Sequence, residues 1–241
     1  MSTRFSHSLK AVSLAIALSF GAFAHAADPV TDLMQAANAP YRMALYKTNG
    51  KVVDEAQQAV VQAQQAWGKL STQFGAKPAA PYDRDPAFAA SVAEVSKVYD
   101  QALMEVNAGQ LSTAHNTLER VRDLLVDMRQ RNTVVVFSDH MNAYHSQMEV
   151  IQVHGGETLA QPKGALLLTA QTGALSYLAK QLEVQAPAEL KKNEEFNRLL
   201  QAVQQSVGSL EAALLNQDMA AAKEASGKLK SPYSKLFAKF G

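Results

Sequence analysis

Residues 88–128, FAASVAEVSKVYDQALMEVNAGQLSTAHNTLERVRDLLVDM, align without a gap on residues 196–236, FNRLLQAVQQSVGSLEAALLNQDMAAAKEASGKLKSPYSKL. Phe88 pairs with Phe196, Val95 with Val203, Leu111 with Met219, Ala114 with Ala222 and Val121 with Leu229, and Arg122 meets Lys230. Apolar meets apolar at three- and four-residue spacing, the period of one face of a helix. The turns coincide too, since Asn107-Ala108-Gly109-Gln110 falls on Leu215-Asn216-Gln217-Asp218. Each stretch therefore reads as two helices joined by a tight turn, and the pattern occurs twice. This predicts an all-α chain of about eight helices, a tandem duplication of an up-down four-helix bundle unit.

Working outward, the same period continues. The spacing predicts helices over 29–47, 52–74, 85–106 and 111–130 in the first half. The first carries a bend near Pro40, and the third is started by Asp85-Pro86, an N-cap carboxylate before proline. In the second half it predicts a helix capped by Ser138 and stopped at Gly155-Gly156. Further helices follow over 163–182, 190–215 and 218–240, the last kinked at Ser231-Pro232.

The N-terminus reads as a secretory signal peptide. Arg4 and Lys10 form a basic start, residues 11–24 are small or apolar, and Ala24-His25-Ala26 is an A-x-A cleavage site. Cleavage after Ala26 leaves two helical units, 27–134 and 135–241, in a periplasmic setting. The apolar run is shorter than the roughly 20 residues a membrane span needs, and no later stretch replaces it. No cysteine is present, which excludes disulfides and a C-x-x-C-H haem attachment. Removing Arg4 and Lys10 from 23 basic residues leaves 21 against 22 acidic ones, a net charge of −1 with no basic patch. Nucleic acid is therefore not an expected partner.

The string Gly109-Gln110-Leu111-Ser112-Thr113-Ala114, with Leu118, Val121-Arg122 and Leu125 after it, resembles the last helix of the soluble b-type periplasmic cytochromes. Asp218-Met219-Ala220-Ala221-Ala222 with Leu229-Lys230 is similar to the same helix. The resemblance implies a four-helix bundle. It also implies a haem held by a methionine near the start, for which Met34 stands here. Where the family carries its haem histidine, this chain has Arg129 and Phe237. Asn142-Ala143-Tyr144-His145 is similar to the family's ligand segment but lies out of register. The run from Arg129 to His145 is also similar to a family of periplasmic proteins to which no activity is attached.

Chemistry concentrates in one stretch. Of the histidines past the signal peptide, His140, His145 and His154 fall within fifteen residues, and His115 stands apart. Met141, His145 and Met148 are spaced i, i+4, i+7 and share a face within about 60° at roughly 100° per residue. Glu149 borders that face, and His140 with Tyr144 forms a second pair turned aside. An imidazole with two thioethers suits copper, whereas His145 with Glu149 suits zinc or ferrous iron. Met34 and Met43 of the first helix are candidate additional donors. The bland alternatives are weighty: methionines at helical spacing pack cores, and His154 suits a helix C-terminus. His115, lacking a partner in sequence, is read as solvent-exposed. Arg120, Arg122, Arg129 and Arg131 alternate with Glu119, Asp123 and Asp127, which reads as a solvated, ion-paired face.

No phosphate loop, G-x-S-x-G elbow, H-E-x-x-H motif or paired Glu-x-x-His set occurs, so nothing in the sequence points to catalysis. The expected function is non-catalytic: binding or handling a transition metal, copper first and iron or zinc next, through His145, Met148, Met141, His140 and Glu149. The alternatives are a haem-binding electron carrier and a cofactor-free structural module. The expected partners are a metal ion or a periplasmic protein.

Overall fold

The computed structural model describes residues 28–241. The signal-peptide reading and its cleavage site lie outside the described residues. Among those residues there is no strand, and the chain is all-α. In chain order the helices are α1 Pro29–Thr48, α2 Val53–Phe74, α3 Phe88–Asn107, α4 Leu111–Arg131, α5 Phe137–Leu159, α6 Gly164–Gln185, the short α7 Ala188–Lys191, α8 Glu194–Leu215, α9 Met219–Lys228 and α10 Lys230–Phe240. None is long and apolar enough to cross a membrane.

Local chemistry explains the boundaries. Asp28 accepts the N–H of Thr31 and Pro29 occupies the first helical position, so α1 begins there. Asp85 accepts the N–H of Ala87, and α3 begins at Phe88, slightly later than the Asp85-Pro86 signal predicts. Gly109, at φ +74°, closes α3 against α4 in a conformation that costs glycine little.

The structure moves four boundaries. Ser138 is not the cap of α5; it is buried in the first turn, and the Asp139 carboxylate accepts the N–H of Val136 instead. Gly155-Gly156 does not stop α5, because neither glycine adopts the left-handed conformation of a C-terminal stop. The helix runs on to Leu159, with Gly155 buried against Leu168 of α6. The predicted helix over 190–215 starts at Glu194, where Asn193 caps Phe196, and Ala188–Lys191 forms a separate turn. The last helix breaks at Leu229, upstream of Ser231-Pro232. The proline ring clashes with the carbonyl four residues back, at Lys228, so the break falls on its N-terminal side.

The buried side chains sort into two clusters. One joins α1 to α4, from Val30 to Met128, around Trp67, Tyr82, Tyr99 and Phe88. The other joins α5, α6, α8, α9 and α10, from Met141 to Leu236, around Tyr144, Phe196 and Ile151. Phe237 of α10 packs against both. As a result α1, α4, α5 and α10 converge on one cleft.

Candidate metal centre

Two His-x-x-x-Glu pairs meet across the halves. On α4, His115 and Glu119 lie one turn apart; on α5, so do His145 and Glu149. Residues four apart on a helix are neighbours on its surface, so each pair shares a face. Nε2 of His145 lies 3.1 Å from Oε1 of Glu149 and 3.9 Å from Oε1 of Glu119. One donor atom from each of the three residues falls within a 4.8 Å sphere of mutual distance. Nε2 of His115 is 3.8 Å from the same Glu119 oxygen.

Burial gives the arrangement its chemistry. His145 is 8% exposed, and its Nε2 has no hydrogen-bond partner: the Glu149 oxygen is near but off the bonding direction. An imidazolium here would be desolvated and would face Arg122, Lys230 and His115. Those causes, burial foremost, push the His145 pKa down to about 3. The ring is therefore neutral, with a lone pair. Burial and the neighbouring Glu119 push the Glu149 carboxyl up. His115 is also drawn down, by burial first and against the pull of Glu119. Its Nδ1–H donates to the carbonyl of Leu45 at 3.1 Å, which leaves its Nε2 lone pair turned toward Glu119. An imidazole anchored through one nitrogen to a backbone carbonyl is the usual orientation of a metal-binding histidine.

A divalent ion about 2.0–2.2 Å from nitrogen and carboxylate donors sets its ligand atoms roughly 3–3.5 Å apart. The spacing of 3.1 Å and 3.9 Å around His145 is close to that.

The other predicted ligands lie elsewhere. Met141 and Met148 are fully buried in the second core cluster. Met34 is buried in the first, where its sulfur takes the Tyr82 hydroxyl. Met43 is 42% exposed. His140 is half-buried and outside the carboxylate cluster. Two readings of the sequence are corrected here. His115 is not a solvated residue, and Glu119, Arg122 and Arg129 are not part of a solvated ion-paired face, since each is half-buried or buried. The signal that would have found them was the second His-x-x-x-Glu spacing, on α4. That side chains of α4 and α5 meet at this cleft was not legible in the sequence.

Arg42, Leu45, Tyr46, Arg122, Lys230, Tyr233 and Phe237 are among the residues lining a cleft of about 70 Å³ beside the cluster, with His115, Glu119 and His145 in its wall. No family model, curated protein or solved structure matches the chain.

Proposed function

We propose that this chain is a non-catalytic, exported helical protein that binds a divalent transition metal through His145, Glu149 and Glu119, with His115 beside Glu119. The observation that carries this is the buried, unpartnered Nε2 of His145, with oxygens of Glu149 and Glu119 at 3.1 and 3.9 Å. Leaving a buried polar atom unsatisfied costs about 1–3 kcal/mol, and an ion between the three donors removes that cost.

The donor chemistry ranks the metals. One imidazole and two carboxylates are nitrogen and oxygen ligands, which suit zinc and ferrous iron, and copper as the cupric ion. The cuprous ion prefers thioethers, and Met141 and Met148 have theirs inside the core. Zinc stands first in this reading. Met34, the methionine the cytochrome resemblance implies, is engaged with Tyr82 in the first core cluster. We therefore propose no haem axial pair.

The test is zinc titration of chelator-treated protein by calorimetry, with elemental analysis of the protein as isolated. One equivalent of zinc is expected, together with a rise in the melting temperature. His145→Ala removes both. Absence of binding for zinc, iron and copper alike, with no thermal shift, overturns the reading.

A further inference from the structure

The cleft beside the donor set holds a second group, Arg122, whose ion-pair partners among the described residues, Glu119 and Asp123, both stand as far off as 3.8 Å. Arg122 leaves α4 three residues after Glu119, and its side chain is only 10% exposed. Among the described residues its guanidinium reaches no acceptor at hydrogen-bonding distance. The carboxylate oxygens of Glu119 and Asp123 come no nearer than 3.8 Å. A planar fork of five donors is built to be filled by an oxyanion. Lys230 of α10 lines the same cleft, at the position that the aligned halves pair with Arg122. Tyr46, Tyr233 and Phe237 supply its apolar walls.

Size and charge narrow the occupant. A cavity of about 150 Å³ holds benzene, so the 70 Å³ here admits a group of roughly three or four heavy atoms. With a divalent ion at the donor set, Glu119 and Glu149 face that ion, Arg122 and Lys230. With Asp123, 3.8 Å from Arg122, as a third negative charge, one positive charge is left unbalanced beside a metal with three protein ligands. Three-ligand sites keep a position open for a further donor.

We propose that the cleft admits a small carboxylate anion, which gives one oxygen to the metal's open position and the other to the Arg122 guanidinium. Lys230 adds long-range attraction at the mouth. This rests on the metal reading above. Metal and anion then bind cooperatively, because each neutralises charge that opposes the other, and the coupling is reciprocal.

The probe is zinc with acetate. Chelator-treated protein is titrated with zinc in a non-coordinating buffer, with and without acetate at constant ionic strength. Zinc affinity is expected to rise about tenfold in acetate, the scale of one charge-assisted hydrogen bond. Arg122→Met should abolish the acetate effect while still binding zinc. Lys230→Met, at an exposed position, should weaken the effect and leaves no doubt about folding. Equal zinc affinity with and without acetate in the unaltered protein overturns the anion site and leaves the metal reading intact. Acetate dependence that persists in Arg122→Met also overturns it. Failure to bind zinc under either condition overturns both.

Discussion

Arg129 at the end of α4 and Asp139 in the first turn of α5 form a buried ion pair across the connector between the two core clusters. Nε of Arg129 lies 3.1 Å from both carboxylate oxygens, and its Nη2 bonds Oδ1 as well. The same carboxylate caps α5 through the N–H of Val136. Arg129 stands where the cytochrome resemblance expects a haem histidine, and here it ties the end of α4 to the first turn of α5.

Removing one partner of this pair should be costly. The side chains are 5% and 16% exposed, so Asp139→Asn leaves a guanidinium with little solvent. Urea unfolding should show a loss of about 3 kcal/mol. A double variant, Arg129→Met with Asp139→Leu, should recover part of that loss, with the missing cap keeping it below the unaltered protein. An Asp139→Asn change within about 0.5 kcal/mol of the parent would show that the pair is not structurally important.

The assignment of donors is testable by substitution. Glu149→Gln and Glu119→Gln should each lower zinc affinity by about 10- to 100-fold or more, since each removes a charged ligand. Met141→Leu and Met148→Leu conserve volume in the core and should cost under about 1.5 kcal/mol of stability. They should leave zinc affinity unchanged. A collapse of affinity in either methionine variant would restore the thioether reading.

Two glycines near the α5–α6 turn should respond in opposite directions to alanine. A Cβ on Gly164 would sit 2.0 Å from the carbonyl oxygen of Thr158, backbone that has nowhere to move. Gly164→Ala should therefore destabilise by about 2 kcal/mol or more. Gly156 is helical, and an added Cβ meets nothing within 4 Å. Gly156→Ala should stabilise by roughly 0.5–1 kcal/mol, the helix-interior difference between the two residues. A destabilising Gly156→Ala would place the end of α5 at the glycine pair after all.

Asp85 gives an acid-dependent contribution. Burial pushes its carboxyl up, but the Arg131 guanidinium, the Ala87 N–H and the Asn132 amide outweigh that and hold it below the usual carboxylate range. A carboxyl lowered by folding stabilises above its unfolded pKa, near 3.9, and loses that contribution as pH falls through the folded value. The stability difference between the parent and Asp85→Asn should thus be largest near neutral pH and shrink below about pH 4. Urea midpoints at pH 7 and pH 3 measure it. A difference independent of pH would remove the charge from the explanation.

Much of the helix pattern was legible because it depends on neighbours in sequence. Ala56, Val60, Ala63, Trp67 and Leu70 recur at helical spacing and all are buried in α2. Asp28, Pro29 and Gly109 mark their boundaries by local hydrogen bonding and φ alone. The errors came where a local signal met a tertiary one. Gly155 resembles a stop, yet its small size serves the approach of Leu168 across the α5–α6 contact.

The candidate site divides in the same way. His145 and Glu149 are one turn apart on a single helix, so sequence spacing by itself joined them, and it put Met141 and Met148 on the same face. Helical period alone does not say which direction of a face meets protein core and which meets a neighbouring helix's carboxylates. Packing decided that. It buried the thioethers among the aliphatic side chains of the second cluster and carried Glu119, His115 and Arg122 in from α4. The separation of His115–Glu119 from His145–Glu149 along the chain is bridged by helix packing and by the Arg129–Asp139 pair. No period in the sequence records that contact.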